Sequence, residues 1–597
     1  MASRAQQAAQ PVQVWAPYAH EVQLVTGGHV HPMRRDGQWW LGKEPLAHGQ
    51  DYGFVLDGQG PFPDPRSPWQ PRGVHELSRH FDPDLFAFTD ADWPGRDVRE
   101  SVLYELHVGT FTAAGTLRAA MAHLPDLVEL GVTMVELMPV AAFEGSRGWG
   151  YDGVSLYAVH EAYGGPAALQ EFVDAAHTQG LAVCLDVVYN HLGPSGNYLP
   201  RFGPYFTQEH HTPWGAAMNL DGPDSGPVRQ FIIDNATRWF TAFHLDALRL
   251  DAVHALVDES ERHLLAELAQ QVQQLAEEQG RPLSLIAESD QNDSATVTSP
   301  AEGGLGMTAQ WDDDVHHAIH AFLTGERHGY YTDFGSAQML AKAMTEVFVH
   351  NGTYSTFRDR IWGRRVPAGM DGRRFVVATE NHDQVGNRGI GDRPAHTLDD
   401  DHLALGAALL LCGPYTPMLF MGQEWAASTP WQYFTDHQDP ALAEAVQQGR
   451  QREFAEHGWQ EIYPPGTQAP DPQDPHTRDV SVLRHDEAQH GRHRRIRDFY
   501  RRLLQLRAHQ GQLRSGDRTS THAAYCPDGS WFVLTRADIH VLLTRAPARE
   551  RVQVPLPGSA RMQQLLSWSG TGTLQEETAE LAGVDVLVLL AEGGTHR

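Results

Sequence analysis

Three acidic side chains follow apolar runs that have the pattern of buried strands. Asp251 follows "LDALRL", Glu288 follows "LSLIA" and Asp383 follows "RRFVVATENH". A charge inside a core without a partner costs several kcal/mol, so we expect these carboxylates where strands end and open to solvent. Two carboxylates beside a glycosidic bond can hydrolyse it, because one attacks the anomeric carbon while the other protonates the departing oxygen. The three residues therefore predict a site for glycoside hydrolysis.

Basic and imidazole side chains accompany these carboxylates. Arg249 stands two positions before Asp251, so both side chains point to one face of a strand. Histidines stand at or near the ends of three predicted strands, at His191, His254 and His382. A capping or ion-pair role could account for any one of these residues alone. Their occurrence with three carboxylates on four strands favours one shared site.

The elements that must position these residues are eight apolar runs, most of them separated by helical segments. The runs are "SVLYEL", "VTMVELMPV", "LAVCLDVV", "DALRL", "LSLIA", "GMTAQW", "RRFVVAT" and "TPMLFM". This alternation predicts a (β/α)8 TIM barrel, in which the reactive groups lie at the C-terminal ends of the strands. A doubly wound open sheet is the structural alternative. It would more often carry a glycine-rich turn after its first strand, and "HVGTFTAAG" does not fit GxGxxG.

The segments on either side of the predicted barrel have β-strand patterns. Short runs such as "VQVWAP", "EVQLVTGG" and "QWWLG" predict an N-terminal β-sandwich domain over residues 1–97. The barrel is expected over 98–517, with an excursion across its mouth at about 190–226 and an insertion at about 440–492. The runs "WFVLTR", "HVLLTR" and "VDVLVLL" predict a C-terminal antiparallel β-sandwich domain over 518–597.

Composition limits the class of partner and the compartment. The net charge of −29, from 46 basic and 75 acidic residues, disfavours a nucleic acid partner, which needs clustered Lys and Arg. The apolar run "LALGAALLLCGPYTPMLFMG" contains Gly-Pro and a second Pro, so it predicts a buried helix, a turn and a strand rather than a membrane span. With only three scattered cysteines and no apolar N-terminal signal segment, we expect a cytoplasmic protein without a membrane partner.

Four short motifs carry a family resemblance. "DVVYNH", "LRLDAVH", "LIAES" and "ATENHDQ" resemble, in order and spacing, four regions of the α-amylase family of retaining glycoside hydrolases. The resemblance covers about residues 100–515. It implies that Asp251 is the nucleophile, Glu288 the acid/base and Asp383 the stabiliser of the transition state. It also implies a set of residues around the attacked glucose: His191, Arg249, His382, and Tyr151 of "GWGYDG" as an aromatic platform.

A narrower resemblance extends to longer stretches. "ELMPVAAFEGSRGWGYDG", "NLDGPDSGPVRQFIIDNATRWF" and "GQEWAASTPWQYFTDH" are similar to the maltooligosyltrehalose trehalohydrolases, a group within that family. This likeness implies hydrolysis of the α-1,4 bond next to the terminal trehalose of maltooligosyltrehalose or a related α-glucan. A branching transferase or a general α-glucan hydrolase of the same family is the alternative. A non-enzymatic glucan-binding scaffold is disfavoured, because it has no use for a complete acid/base set.

The segment "WDDDVHH" at the end of the sixth run is expected to line the leaving-group side of the site. We expect Trp311 to stack on a sugar and Asp312 and Asp313 to bind hydroxyls, with His316, His254 and Gln384 nearby. A metal is the other interpretation of "DDDVHH" and of "EHH" before it. Neither run has partners at the spacing of a zinc site, so we expect no metal and no other cofactor.

Overall fold

Eight parallel strands form a closed barrel in the computed structural model, which describes residues 11–456, 462–558 and 561–592. In chain order the strands are Leu103–Leu106, Met134–Leu137, Ala182–Val187, Ala247–Leu250, Ser284–Ala287, Ala309–Trp311, Phe375–Ala378 and Thr416–Phe420. The eighth strand pairs with the first, with Met418 opposite Leu103, and this pairing closes the barrel. The predicted (β/α)8 barrel is confirmed.

Side chains of each barrel strand alternate between the interior of the barrel and the surrounding helices. In the fourth strand, Ala247 packs in the interior cluster, whereas Leu248 and Leu250 belong to the larger core outside it. Arg249 has the same inward parity as Ala247, and Asp251 follows it at the end of the strand. The alternation therefore carries both charged side chains to the C-terminal mouth of the barrel.

Helices cover most of the barrel. They are Val108–Phe111, Leu117–Met121, Leu124–Leu130, Gly165–Thr178, Leu199–Phe202, Ser225–Ala242, Leu264–Gln279, Asp313–Thr324, Ala337–Glu346, His382–Gly386, Asp400–Cys412, Pro440–Glu456, Pro475–Val480, Gly491–His509 and Gly511–Arg514. Between the fifth and sixth strands there are only two 3-10 turns, Ser294–Thr296 and Pro300–Glu302. None of the described helices has both the length and the apolar character needed to cross a membrane.

Two antiparallel sheets precede the barrel. One contains Gln13–Trp15, Arg34–Asp36 and Trp39–Leu41, and the other contains Val22–Thr26, His29–Pro32, Asp51–Leu56, Gln59–Phe62 and Ser78–Arg79. Their core includes Trp40, whose indole nitrogen donates to the carbonyl oxygen of Ala16 at 3.1 Å. A burial of this kind makes Trp40 a core residue rather than an exposed platform for sugar.

Two further antiparallel sheets follow the barrel. They contain Thr521–Tyr525, Trp531–Arg536, Ile539–Arg545, Arg561–Ser567 and Val584–Glu592, and then Arg551–Pro555, Thr573–Leu574 and Thr578–Ala582. The buried Arg536 joins them to the barrel, since it donates to the carbonyl oxygen of Cys412 at 2.9 Å. The expected β domains on both sides of the barrel are confirmed.

The chain between the third barrel strand and the helix Ser225–Ala242 forms a short helix, Leu199–Phe202, and a hairpin, Phe206–Thr212 with Gly215–Met218. Four aromatic pairs join this excursion to the N-terminal sheets: Trp15 with Tyr205, Phe54 with Phe202, and Phe62 with both Tyr198 and Phe202. At the hairpin tip, Trp214 is 51% exposed and stacks on His191 at 4.7 Å between ring centroids. The N-terminal sheets thus support a wall of the barrel mouth.

Candidate active site

Arg249 lies at the centre of the site and contacts three carboxylates, one at the end of its own strand and one from the strand on either side. Its Nη1 donates to Asp186 Oδ2 at 2.8 Å and to Asp251 Oδ1 at 3.0 Å, and its Nη2 lies 3.0 Å from Glu288 Oε2. Burial opposes the charge on the guanidinium, but the carboxylates around it raise the pKa of Arg249 well above its ordinary value. One rigid, planar group therefore holds Asp251 and Glu288 beside each other.

The remaining contacts of Asp251 and Glu288 orient these carboxylates further. Asn190 Nδ2 donates to Asp251 Oδ2 at 2.8 Å, and the backbone N–H of Ala252 donates to Glu288 Oε2 at 2.7 Å. The side chains of Asp251 and Glu288 are 11% and 23% exposed, so both can be reached from the mouth. Two accessible carboxylates anchored on one cation fit the requirements of glycoside hydrolysis.

His382 is a buried imidazole between two carboxylates. Its Nδ1 lies 2.5 Å from Glu105 Oε1, and its Nε2 lies 3.3 Å from Asp383 Oδ2. Its backbone N–H donates to Glu105 Oε2 at 2.9 Å. Burial favours the neutral ring, but Asp383 and Glu105 raise the pKa of His382 to about 10. His382 is therefore a cation at neutral pH, and it holds Asp383 at the mouth.

Tyr151 connects His382 to the Arg249 cluster. Its hydroxyl donates to Asp186 Oδ2 at 2.6 Å and accepts from His382 Nε2 at 2.7 Å, while its ring stacks on His382 at 5.0 Å. His191 lies next to it, with Nε2 at 3.1 Å from the carbonyl oxygen of Tyr151. The structure thus brings Tyr151, His191 and His382 together, as the family resemblance implied.

Three residues expected on the leaving-group side also lie at the mouth. Gln384 Nε2 donates to Asp313 Oδ1 at 3.2 Å. Burial together with the carboxylates of Glu288 and Asp383 raises the pKa of Asp313 to about 7, which places Asp313 close to both. His254 is exposed, and its Nδ1 lies 3.7 Å from Asp290 Oδ1.

Three other residues expected on that side are buried away from it. Trp311 is 4% exposed and lies beneath Arg249, whose guanidinium carbon is 4.1 Å from the ring centroid. Asp312 caps the helix Asp313–Thr324 by accepting the backbone N–H of Asp314 at 3.0 Å. His316 is 3% exposed, and its Nε2 lies 3.2 Å from the hydroxyl of Tyr331.

The strand parity explains these differences from expectation. Trp311 points into the barrel, where Arg249 covers its ring, so the structure corrects the expectation that Trp311 offers an open face to a sugar. Asp312 points the opposite way and serves the helix that starts there. Side chains alternate in direction along "QWDDD", and this alternation could have shown that Asp313 points a different way from Asp312.

The sequence analysis did not single out Glu105 and Trp214, which both lie at the site. Glu105 binds His382 through both carboxylate oxygens. The signal in the sequence was that Glu105 is a single acidic residue at an inward position of the apolar run "LYEL". Trp214 stacks on His191 from the excursion, where nothing in the sequence separates it from other surface aromatics. Within the described ranges, no group of three or more His, Cys, Asp or Glu side chains could hold a metal.

The closed barrel, with paired carboxylates at the C-terminal ends of its strands, defines a glycoside hydrolase of the α-amylase class. Residues 83–207 match the family model described as "Alpha amylase, catalytic domain". A Malto-oligosyltrehalose trehalohydrolase from Arthrobacter ramosus is 54% identical over 500 residues, which are 83% of this chain and 86% of that one. The enzyme of the same name from Mycobacterium tuberculosis is 47% identical over 584 residues, which are 97% of this chain and 98% of that one.

A solved structure agrees with these relatives. The crystal structure of a Salmonella typhimurium protein described as an alpha amylase superposes with a TM-score of 0.88 and 37% identity, and the match covers 97% of both chains. The chain belongs to the malto-oligosyltrehalose trehalohydrolase family. The resemblance to the α-amylase family and the narrower resemblance to the trehalohydrolases are therefore both confirmed.

Proposed function

We propose that this chain hydrolyses the α-1,4 bond next to the terminal trehalose unit of maltooligosyltrehalose, releasing trehalose by a retaining double displacement. The names of its relatives support the substrate, because the two matches described above cover most of each chain. The observation that carries the chemistry is the single guanidinium of Arg249, which lies 3.0 Å from both Asp251 and Glu288.

In the first step, Asp251 Oδ attacks the anomeric carbon of the glucose before the trehalose unit. The bond from that carbon to the trehalose oxygen breaks, and Glu288 donates its proton to this oxygen, so trehalose leaves intact. The product is a covalent ester between Asp251 and the shortened maltooligosaccharide. Arg249 favours this step, because it stays positive and in contact with both carboxylates while negative charge passes from Asp251 to Glu288.

In the second step, Glu288 removes a proton from water, and the hydroxide attacks the same anomeric carbon. The ester bond breaks, Asp251 recovers its carboxylate, and the sugar keeps its original anomeric configuration. Asp383 would bind hydroxyls of the distorted ring, with His382 holding it in place. Tyr151 and His191 would contact the same glucose from the other side.

Specificity for trehalose would come from the leaving-group side. The two rings of trehalose are joined through both anomeric carbons, so the second ring points in a different direction from that of maltose. The polar side chains of Asp313, Gln384 and His254 would bind it, and their position at the mouth supports this role. An unpaired buried polar group costs about 1–3 kcal/mol, which corresponds to roughly ten- to hundredfold discrimination against a plain α-1,4 chain.

The test compares maltooligosyltrehalose with a maltooligosaccharide of equal length, with the Asp251→Ala protein as the blank. We expect trehalose as a product and a much higher kcat/KM for the first substrate. Equal rates on both would indicate a general α-glucan hydrolase, and new branches formed from amylose would indicate a transferase. No turnover of either substrate would contradict the assignment as an enzyme.

We also propose a cytoplasmic location. Cys184, Cys412 and Cys526 are all unpaired, and two of them are buried, which suits a reducing compartment. A disulfide-forming compartment would more often leave paired cysteines in a chain of this size. Fractionation of cells that produce the protein, with thiol labelling before and after denaturation, tests this location.

A further inference from the structure

A cavity of about 460 Å³ lies on the N-terminal face of the barrel, opposite the carboxylates. Val102 and Thr133 in its wall immediately precede the first and second strands. Five arginines also line it: Arg96, Arg99, Arg373, Arg507 and Arg514. In a chain with a net charge of −29, this convergence of positive charge requires a physical explanation.

Nearby carboxylates and carbonyl groups offset only part of the positive charge of these arginines. Arg99 pairs with Asp97 at 2.5 Å, and Arg373 pairs with Asp371 at 2.7 Å. Glu100 is the acidic residue in the wall itself. The five arginines therefore outnumber the three carboxylates, and two positive charges have no acidic counterpart.

The arginines are close enough to repel one another. Burial and the nearby charges of Arg536, Arg373 and Arg514 together lower the pKa of Arg507 to about 9. The charge of Arg99 likewise opposes that of Arg373. An anion bound among the guanidinium groups would relieve this mutual repulsion.

A purely structural role explains one of the five arginines well. Arg507 is 5% exposed and donates to the carbonyl oxygens of Leu411 and Tyr415, at the end of the helix Asp400–Cys412, where a cation is favourable. Arg96 and Arg514 have no such role. The Nε of Arg96 is buried without a hydrogen-bond partner, and neither residue has an ion pair within the described part of the chain.

We propose that this cavity binds a phosphate group, with Arg96, Arg99, Arg373 and Arg514 as its contacts and Arg507 adding charge from below. Guanidinium groups match phosphate oxygens in geometry, and a phosphate dianion would balance the two excess charges. The volume falls within the range of roughly 300–1,000 Å³ that is typical of small-ligand sites. The group can therefore come from inorganic phosphate or from a phosphate ester of a small metabolite.

The experiment is a calorimetric titration of the full chain at constant ionic strength, with inorganic phosphate, glucose 6-phosphate and glucose as separate probes. The test variant is Arg96→Ala/Arg514→Ala, which removes two of the arginines of the cavity that have no ion pair among the described residues. The matched control, Arg34→Ala/Arg494→Ala, removes two charges whose side chains are each 70% exposed and lie outside the cavity. Maltooligosyltrehalose hydrolysis, at the opposite face, checks that each variant is folded.

We expect saturable binding of both phosphate probes at one site, no binding of glucose, and affinities roughly tenfold or more weaker in the test variant. The control should bind as the wild type does. Tighter binding of glucose 6-phosphate than of phosphate would identify an ester as the ligand, and equal binding would identify inorganic phosphate. The proposal is overturned by the absence of saturable binding below about 10 mM, or by an equal loss in the control variant.

Discussion

Replacing Glu105 with Gln removes one negative charge from the barrel interior and keeps the size of the side chain. In the native protein both oxygens of Glu105 contact His382, at 2.5 Å from Nδ1 and 2.9 Å from the backbone nitrogen. Burial disfavours the imidazolium, and the carboxylates of Asp383 and Glu105 nevertheless raise the pKa of His382 to about 10. The variant keeps only Asp383, whose side chain is 35% exposed, as a counter-charge in contact with the ring.

The size of the effect follows from the burial of the pair. Breaking a buried ion pair costs about 3–5 kcal/mol, and one pKa unit corresponds to about 1.4 kcal/mol. We therefore expect the pKa of His382 to fall by about two to four units, to about 6–8. Deprotonation would then occur near neutral pH, and His382 would no longer hold Asp383 through a charge-assisted contact.

The assay is kcat/KM on maltooligosyltrehalose from about pH 5 to about pH 9.5. The Glu105→Gln variant should show a new alkaline limb between about pH 6 and pH 8, which the native protein lacks. Glu136→Gln is the matched control, because Glu136 stands opposite Glu105 on the next strand. Burial raises the pKa of Glu136 well above its usual range, which favours the neutral carboxyl over a carboxylate that could act on His382. An unchanged profile in Glu105→Gln, or the same limb in Glu136→Gln, would refute the reasoning.

The stability of the two proteins should differ with pH in a defined direction. The pKa of His382 is about 10 in the folded chain and 6.5 in an unfolded one, so the imidazolium stabilises the fold fully below pH 6.5. This contribution is lost as the pH rises through 10. The free energy of unfolding, measured by urea titration, should therefore be higher for the native protein than for the Glu105→Gln variant. This difference should be largest near pH 6.5 and should become smaller towards pH 10.

Three further substitutions test the site. Asp251→Ala should lower kcat by several orders of magnitude with little change in Tm, since Asp251 lies at the rim and Asp186 and Glu288 still contact Arg249; a near-normal rate would show that Asp251 is not the nucleophile. Glu288→Gln should lose activity on maltooligosyltrehalose but recover its first step on an aryl glycoside, whose leaving group needs no proton; no recovery would argue against Glu288 as the acid. Trp214→Ala should raise KM about two- to tenfold through lost ring contacts with little change in kcat, and an unchanged KM would place Trp214 outside the substrate path.

The barrel was predictable because its strands are buried on both faces. Such strands appear in the sequence as short, nearly continuous apolar runs, and helical segments between them leave few alternative topologies. The catalytic carboxylates were predictable for a related reason. Asp251 and Glu288 directly follow apolar runs, and a charge at such a position is tolerated only where the strand leaves the core.

The remaining features depended on side-chain direction in the closed barrel. Glu105 lies within its strand rather than after it, and only the pairing of first, second and eighth strands shows that it faces His382. The sequence analysis put Trp311 and Asp312 at the end of the sixth strand, where they lie. Their side chains point in opposite directions, however, so one lies under Arg249 and the other caps a helix. The absence of a full helix after the fifth strand also had no clear sequence signal, since helical and irregular connections there can be similar in length.

The aromatic pairs between the N-terminal sheets and the excursion also affect how this enzyme can change over evolution. Phe54 and Phe202 lie in different parts of the chain but pack as one core. A substitution in the N-terminal sheets can therefore shift the position of Trp214 without touching any residue near the carboxylates. A chimera that takes its N-terminal sheets from a relative would keep this packing only if residues 198–218 come from the same relative. The two segments should therefore change together during evolution.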